Sequence, residues 1–126
     1  MRIHILRFFA IAAAVSSVRA ADPDYKITNI PAPDGVVLEV GGMDWMPDGR
    51  LMMCTRRGEI WSFQPENSEW KQFASGLHEP LGLVAGKDNS EIYVLQRAEL
   101  TRITDTDKDG IAERFERFGK GWGYTG

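Results

Sequence analysis

The stretch GMDWMPDGRLMMCTRRGEIW, Gly42 to Trp61, decides what kind of fold this chain adopts. Two largely apolar runs, Gly42 to Met46 and Leu51 to Thr55, are separated by Pro47, Asp48 and Gly49, and a third begins at Glu59 after Arg56, Arg57 and Gly58. Proline presets the first corner of a turn, aspartate bonds the backbone that follows it, and glycine supplies positive φ, so each interruption reads as a tight reversal. Runs of about five residues suit strands and are too short for helices, which need roughly ten or more. The expected unit is an antiparallel meander.

Toward the C-terminus the meander continues as EIWSF, a turn QPENSE and then WKQFAS. It begins again with LGLVAG, KDNS, EIYVL, QRA and ELTRI. Placing Ile60 over Leu100 and Phe63 over Ile103 aligns the two sets at a spacing of about forty residues, the period of a four-stranded propeller blade. β-Branched and aromatic residues dominate the runs, which disfavours long helices. We therefore expect an all-β chain, a partial β-propeller of about two antiparallel four-stranded blades. Residues 36–79 form the first blade and residues 80–126 a second, incomplete one. Trp45, Trp61, Phe63 and Tyr93 alternate with polar neighbours and read as core between blades rather than as sugar-stacking platforms.

Toward the N-terminus a polar, proline-rich lead, residues 21–35, precedes the first blade. Before it stands MRIHILRFFAIAAAVSSVRA, with Arg2 and Arg7 early, an apolar run from Phe8 to Val15, and small residues Val18 and Ala20 at the positions a signal peptidase reads. Residues 1–20 are expected to be a signal peptide cut after Ala20, giving a periplasmic or secreted protein. The apolar run is far shorter than the roughly twenty residues of a spanning helix, so the mature chain is not an integral membrane protein. Residues 1–20 hold three of the fifteen basic groups and no acid, leaving twelve basic against eighteen acidic groups and a formal charge of −6. That sign disfavours nucleic acid as a partner. The single cysteine, Cys54, excludes an internal disulfide and sits in the apolar run LMMC as a small core residue.

The stretch DTDKDGIAERFE, residues 105–116, carries the clearest chemistry. Asp105, Asp107, Asp109, Gly110 and Glu116 match the calcium-loop spacing D-x-D-x-D-G-x5-E, with hard oxygen donors at alternate positions and glycine for the sharp turn. The upstream run is strand-like, so we prefer a hairpin clamp, in which Glu113 is the last carboxylate and the Ile111 carbonyl contributes; Glu116 is the alternative. Ile111, Phe115 and Phe118 fall at helical spacing, which keeps a helix-flanked loop open, and solvated acids on a plain turn are the third reading.

Together GMDWMPDGRLMMCTRRGEIW and GLHEPLGLVAGKDNSEIYVLQRAELTRITDTDKDGIAERFE resemble successive blades of the glucose/sorbosone dehydrogenase-like propellers, relatives of the soluble quinoprotein sugar dehydrogenases, in a membrane-bound-dehydrogenase-like bacterial branch. The resemblance spans roughly residues 36–126. It implies that the chain is the N-terminal part of a longer propeller that oxidises a sugar or polyol with pyrroloquinoline quinone and calcium. The catalytic half, including the histidine base, would then lie in later blades, so no catalytic residue is assigned here. The alternative is a calcium-stabilised binding or scaffold propeller without redox chemistry.

Antiparallel strands alternate direction, so successive turns alternate between the two ends of the sheets. Arg56, Arg57, His78, Gln96 and Arg97 should share one end, and the Pro47–Gly49 turn and the aspartate loop the other. The resemblance implies that quinone and sugar bind at one mouth of the channel, which we assign to the arginine-bearing end. There Arg56, Arg57 and Arg97 are candidate cofactor-binding residues, their plain reading being ordinary hairpin turns.

Overall fold

The computed structural model describes residues 25–121, so the expected signal peptide lies outside the described residues. The first sheet is the meander β1 (Val40–Trp45), β2 (Leu51–Thr55), β3 (Ile60–Gln64) and β4 (Glu69–Ala74). The second repeats it with β5 (Gly82–Ala85), β6 (Glu91–Gln96), β7 (Glu99–Thr104) and β8 (Arg114–Lys120). Every neighbouring pair is antiparallel, and no described element is a helix. The sheets stack face to face with β1 beside β5, the arrangement of two successive propeller blades.

The core between the sheets follows from strand alternation. Met52 and Cys54 on β2, Ile60 on β3 and Phe73 on β4 meet Leu83, Ile92, Val94 and Ile103 from the second sheet, all of them buried. Each fully buried side chain of this size contributes about 1.5–3 kcal/mol of transfer free energy, so this layer dominates the stability. Burial pushes the Cys54 thiol pKa up, and its Sγ lies 3.7 Å from the Pro80 carbonyl, which places it in this layer.

Two features were not expected. The second sheet is four-stranded, because Arg114–Lys120 forms β8 where the sequence left an incomplete blade. Phe115 stands opposite Ile103, while Phe118 packs edge-on to Tyr93 at 5.0 Å. A separation of three sends those rings to opposite faces of a strand, so the helical spacing of Ile111, Phe115 and Phe118 arises in extended chain. The lead also packs against the first sheet, where Trp70 Nε1 donates to the Pro31 carbonyl at 2.9 Å beside the Phe63–Trp70 ring pair.

The outward faces of both sheets still carry exposed apolar side chains, even where the lead covers part of the first. Met43 and Trp45 on the first sheet are each 56% exposed, and Val84 and Phe118 on the second are 60% and 61% exposed. Apolar sheet faces of this kind find partners. Light scattering on the purified chain should therefore show self-association. A monomer with a cooperative melt would show that these faces need no cover.

Candidate metal centre

The β7–β8 loop is built by short polar residues bonding their own backbone. Asp107 Oδ1 accepts the Asp109 N–H at 3.2 Å, and Asp109 Oδ1 accepts the Ile111 N–H at 2.7 Å. Glu113 Oε2 accepts both the Thr106 N–H and its hydroxyl at 2.9 Å, closing the loop from its far side. Lys108 and Gly110 take left-handed φ of 64° and 87°, the second being glycine's natural province. The base is fixed where the Asp105 N–H donates to the Ser90 carbonyl at 2.8 Å.

This curl brings one oxygen each from Asp105, Asp107, Asp109 and Glu113 within 4.8 Å of one another. Ligands at about 2.3–2.6 Å from a shared calcium ion lie no more than about 5 Å apart, so the spacing fits one hard cation. Asp105 supplies the decisive observation. It is only 3% exposed; its Oδ2 accepts the Gly110 N–H at 2.8 Å, while its Oδ1 is buried without a partner among the described residues. A buried carboxylate oxygen left unpaired is costly, and a coordinated cation removes that cost. The local field agrees. The Asp109 N–H pulls the Asp107 carboxyl down, yet desolvation and the negative charges of Asp109 and Glu113 outweigh it and raise its pKa. The Thr106 backbone and hydroxyl bonds hold Glu113 below the usual carboxylate range.

Glu116 is not brought to the cluster. It lies on β8, where Arg102 at 2.7 Å and Arg114 at 2.7 Å hold its carboxylate, Arg102 being the main cause of its lowered pKa. Ile111 stays in the loop with its side chain exposed.

At the other end of the sheets the structure gathers the expected residues. The Arg97 N–H donates to the His78 carbonyl at 2.9 Å, and the His78 N–H donates to Gln96 Oε1 at 2.7 Å. Arg57 pairs with Glu39 at 3.5 Å and Arg97 with Glu79 at 3.3 Å, while the Arg56 guanidinium makes no ion pair among the described residues. Two of the three guanidiniums are thus matched to carboxylates, and no chemical step is assigned to them.

The sequence did not reveal what joins the sheets at the loop end. The Asp48 N–H donates to Asn89 Oδ1 at 2.9 Å, Arg50 Nη2 donates to the Asn89 carbonyl at 2.8 Å, and the Lys71 ammonium donates to the Asp109 carbonyl. Each bond links residues about forty positions apart, the blade period.

No family model and no curated protein matches the chain. Among solved structures it is similar to a Thermus thermophilus protein described provisionally as an oxidoreductase (glucose dehydrogenase), at 21% identity and a TM-score of 0.47 over 62% of this chain. The chain spans 28% of that protein's length.

Proposed function

We propose that Asp105, Asp107, Asp109 and Glu113 hold a structural calcium ion, and that the two sheets are calcium-stabilised blades of an exported propeller. The buried Oδ1 of Asp105 carries this reading, because nothing among the described residues satisfies it and a hard cation would. In the periplasm or outside the cell, calcium at about millimolar concentration suffices for a site of modest affinity. Calorimetric titration should give a saturable heat that weakens in Asp107→Ala. Absence of heat in both proteins would defeat the proposal.

The resemblance of these blades to the glucose/sorbosone dehydrogenase-like propellers supports a larger parent that oxidises a sugar or polyol, pyrroloquinoline quinone accepting the electrons. In that parent this segment would be scaffold rather than catalyst. Removing hydride from an alcohol carbon needs a general base within reach of the hydroxyl, usually histidine. His4 falls in the expected signal peptide, and His78 is an exposed loop residue whose backbone is tied to Gln96 and Arg97. Dye-linked oxidation of glucose and other aldoses by the chain, supplied with quinone and calcium, is therefore expected to stay at background. Turnover abolished by His78→Ala would overturn this assignment. The second reading, a scaffold or binding propeller without redox chemistry, is favoured by the ion pairs that engage Arg57 and Arg97.

A further inference from the structure

We infer that the cation loop is a clasp between blades: an ion bound by carboxylates of the second sheet locks the loop onto the outer edge of the first, so that ion binding and blade docking form one equilibrium. The inference rests on the calcium reading above and adds to it a role for residues that no carboxylate motif contains.

The loop belongs in sequence to the second sheet, yet two of its hydrogen bonds go to the first. The Ala112 N–H donates to the carbonyl of Phe73 on β4 at 2.8 Å, and both residues are buried. Two positions earlier on β4, the Lys71 ammonium donates to the carbonyl of Asp109, whose side chain belongs to the cluster. The glycine at 110 leaves Lys71 room; a Cβ would stand 2.9 Å from Nζ and the lysine tip would have to shift. The main chain of residues 109–112 is thus held by blade one on one side and shaped by the carboxylate cluster on the other.

The two buried polar atoms without a partner among the described residues point the same way. They are Asp105 Oδ1 on the second sheet and Gln64 Oε1 at the end of β3 on the first. Both residues line one cleft of about 740 Å³ between the sheets, together with Lys71 and Asp109. A hydrated divalent cation supplies what each lacks, direct coordination for the carboxylate and water O–H donors for the amide oxygen. If the loop must release its ion to leave blade one, binding and docking are linked reciprocally.

Hydrogen exchange of the full chain with calcium or with a chelator tests this. Calcium should slow exchange across residues 105–113 and also along β4, Glu69–Ala74, by up to about 100-fold when its concentration is about 100 times the dissociation constant. Lys71→Met should lose the β4 protection and bind calcium more weakly. Simple electrostatics predicts the reverse, because removing a positive charge beside the site should tighten binding; Lys120→Met, at the opposite end of the sheets, makes the same charge change and should do neither. Protection confined to residues 105–113, or tighter binding in Lys71→Met, overturns the clasp and leaves the calcium site standing. No heat and no protection anywhere overturns both.

Discussion

Asp105→Asn is expected to lower calcium affinity by at least about 100-fold, since loss of a mere outer-shell partner already costs roughly 10–100-fold at metal sites. The amide keeps an oxygen for the Gly110 N–H, which Asp105 Oδ2 accepts at 2.8 Å, so the turn survives. It loses the negative charge and the second oxygen, the one buried without a partner. In the parent chain, calcium at about 100 times its dissociation constant adds about 2.7 kcal/mol by linkage. For a domain of about a hundred residues that is a rise in melting temperature of roughly 10–20 °C. The variant should lose this rise, yet in chelator it should melt close to the parent, because a buried charge has gone while one amide N–H₂ is left without an acceptor. Thermal melts of both proteins in calcium and in chelator decide the matter. A variant that melts far lower than the parent in chelator would mean that Asp105 serves the Gly110 turn and not an ion.

Gly41→Ala should be the most damaging conservative change in the sheets. At Gly41 a Cβ would overlap the Pro80 carbonyl oxygen and stand 3.2 Å from the Leu81 Cα; at Gly42 it would lie 2.9 Å from the Leu83 nitrogen. These are backbone atoms of the neighbouring blade, which cannot swing aside as a side chain does, so β1 and β5 must separate and open the layer beneath them. Overpacking typically costs about 1–3 kcal/mol, and a rigid backbone neighbour places this case at the upper end. A loss of about 3 kcal/mol lowers the melting temperature by more than about 10 °C in a domain of this size. Gly82→Ala is the internal control, because its Cβ would meet only the Leu95 Cβ at 3.5 Å, an ordinary contact. Equal melting temperatures for Gly41→Ala and the parent would mean that the innermost strands do not approach as described.

Most of the architecture was legible because it is local. The Pro47–Gly49 and Arg56–Gly58 interruptions fix where strands reverse, the repeat at about forty residues fixes the blade, and strand direction alone puts Arg56, Arg57, His78, Gln96 and Arg97 at one end and the aspartate loop at the other. The carboxylate spacing was likewise visible, since Asp105, Asp107 and Asp109 alternate along a few residues of chain. β8 was not visible, because Phe115 and Phe118 fit a helical period as well as a strand whose faces they divide. Glu113 was already preferred to Glu116 on the expected hairpin, but what occupies Glu116 was not legible: pairing of β7 with β8 sets it opposite Arg102 and consigns it to an ion pair. The same holds for Gly41 and Gly42, whose need for glycine arises only once β5 is laid against them, and for Lys71, whose role arises only once the loop of the next blade lies beside its ammonium. Turns and ligand spacings are written in neighbouring residues. What touches across two stacked sheets depends on register and approach distance, and these are set only when both sheets have formed.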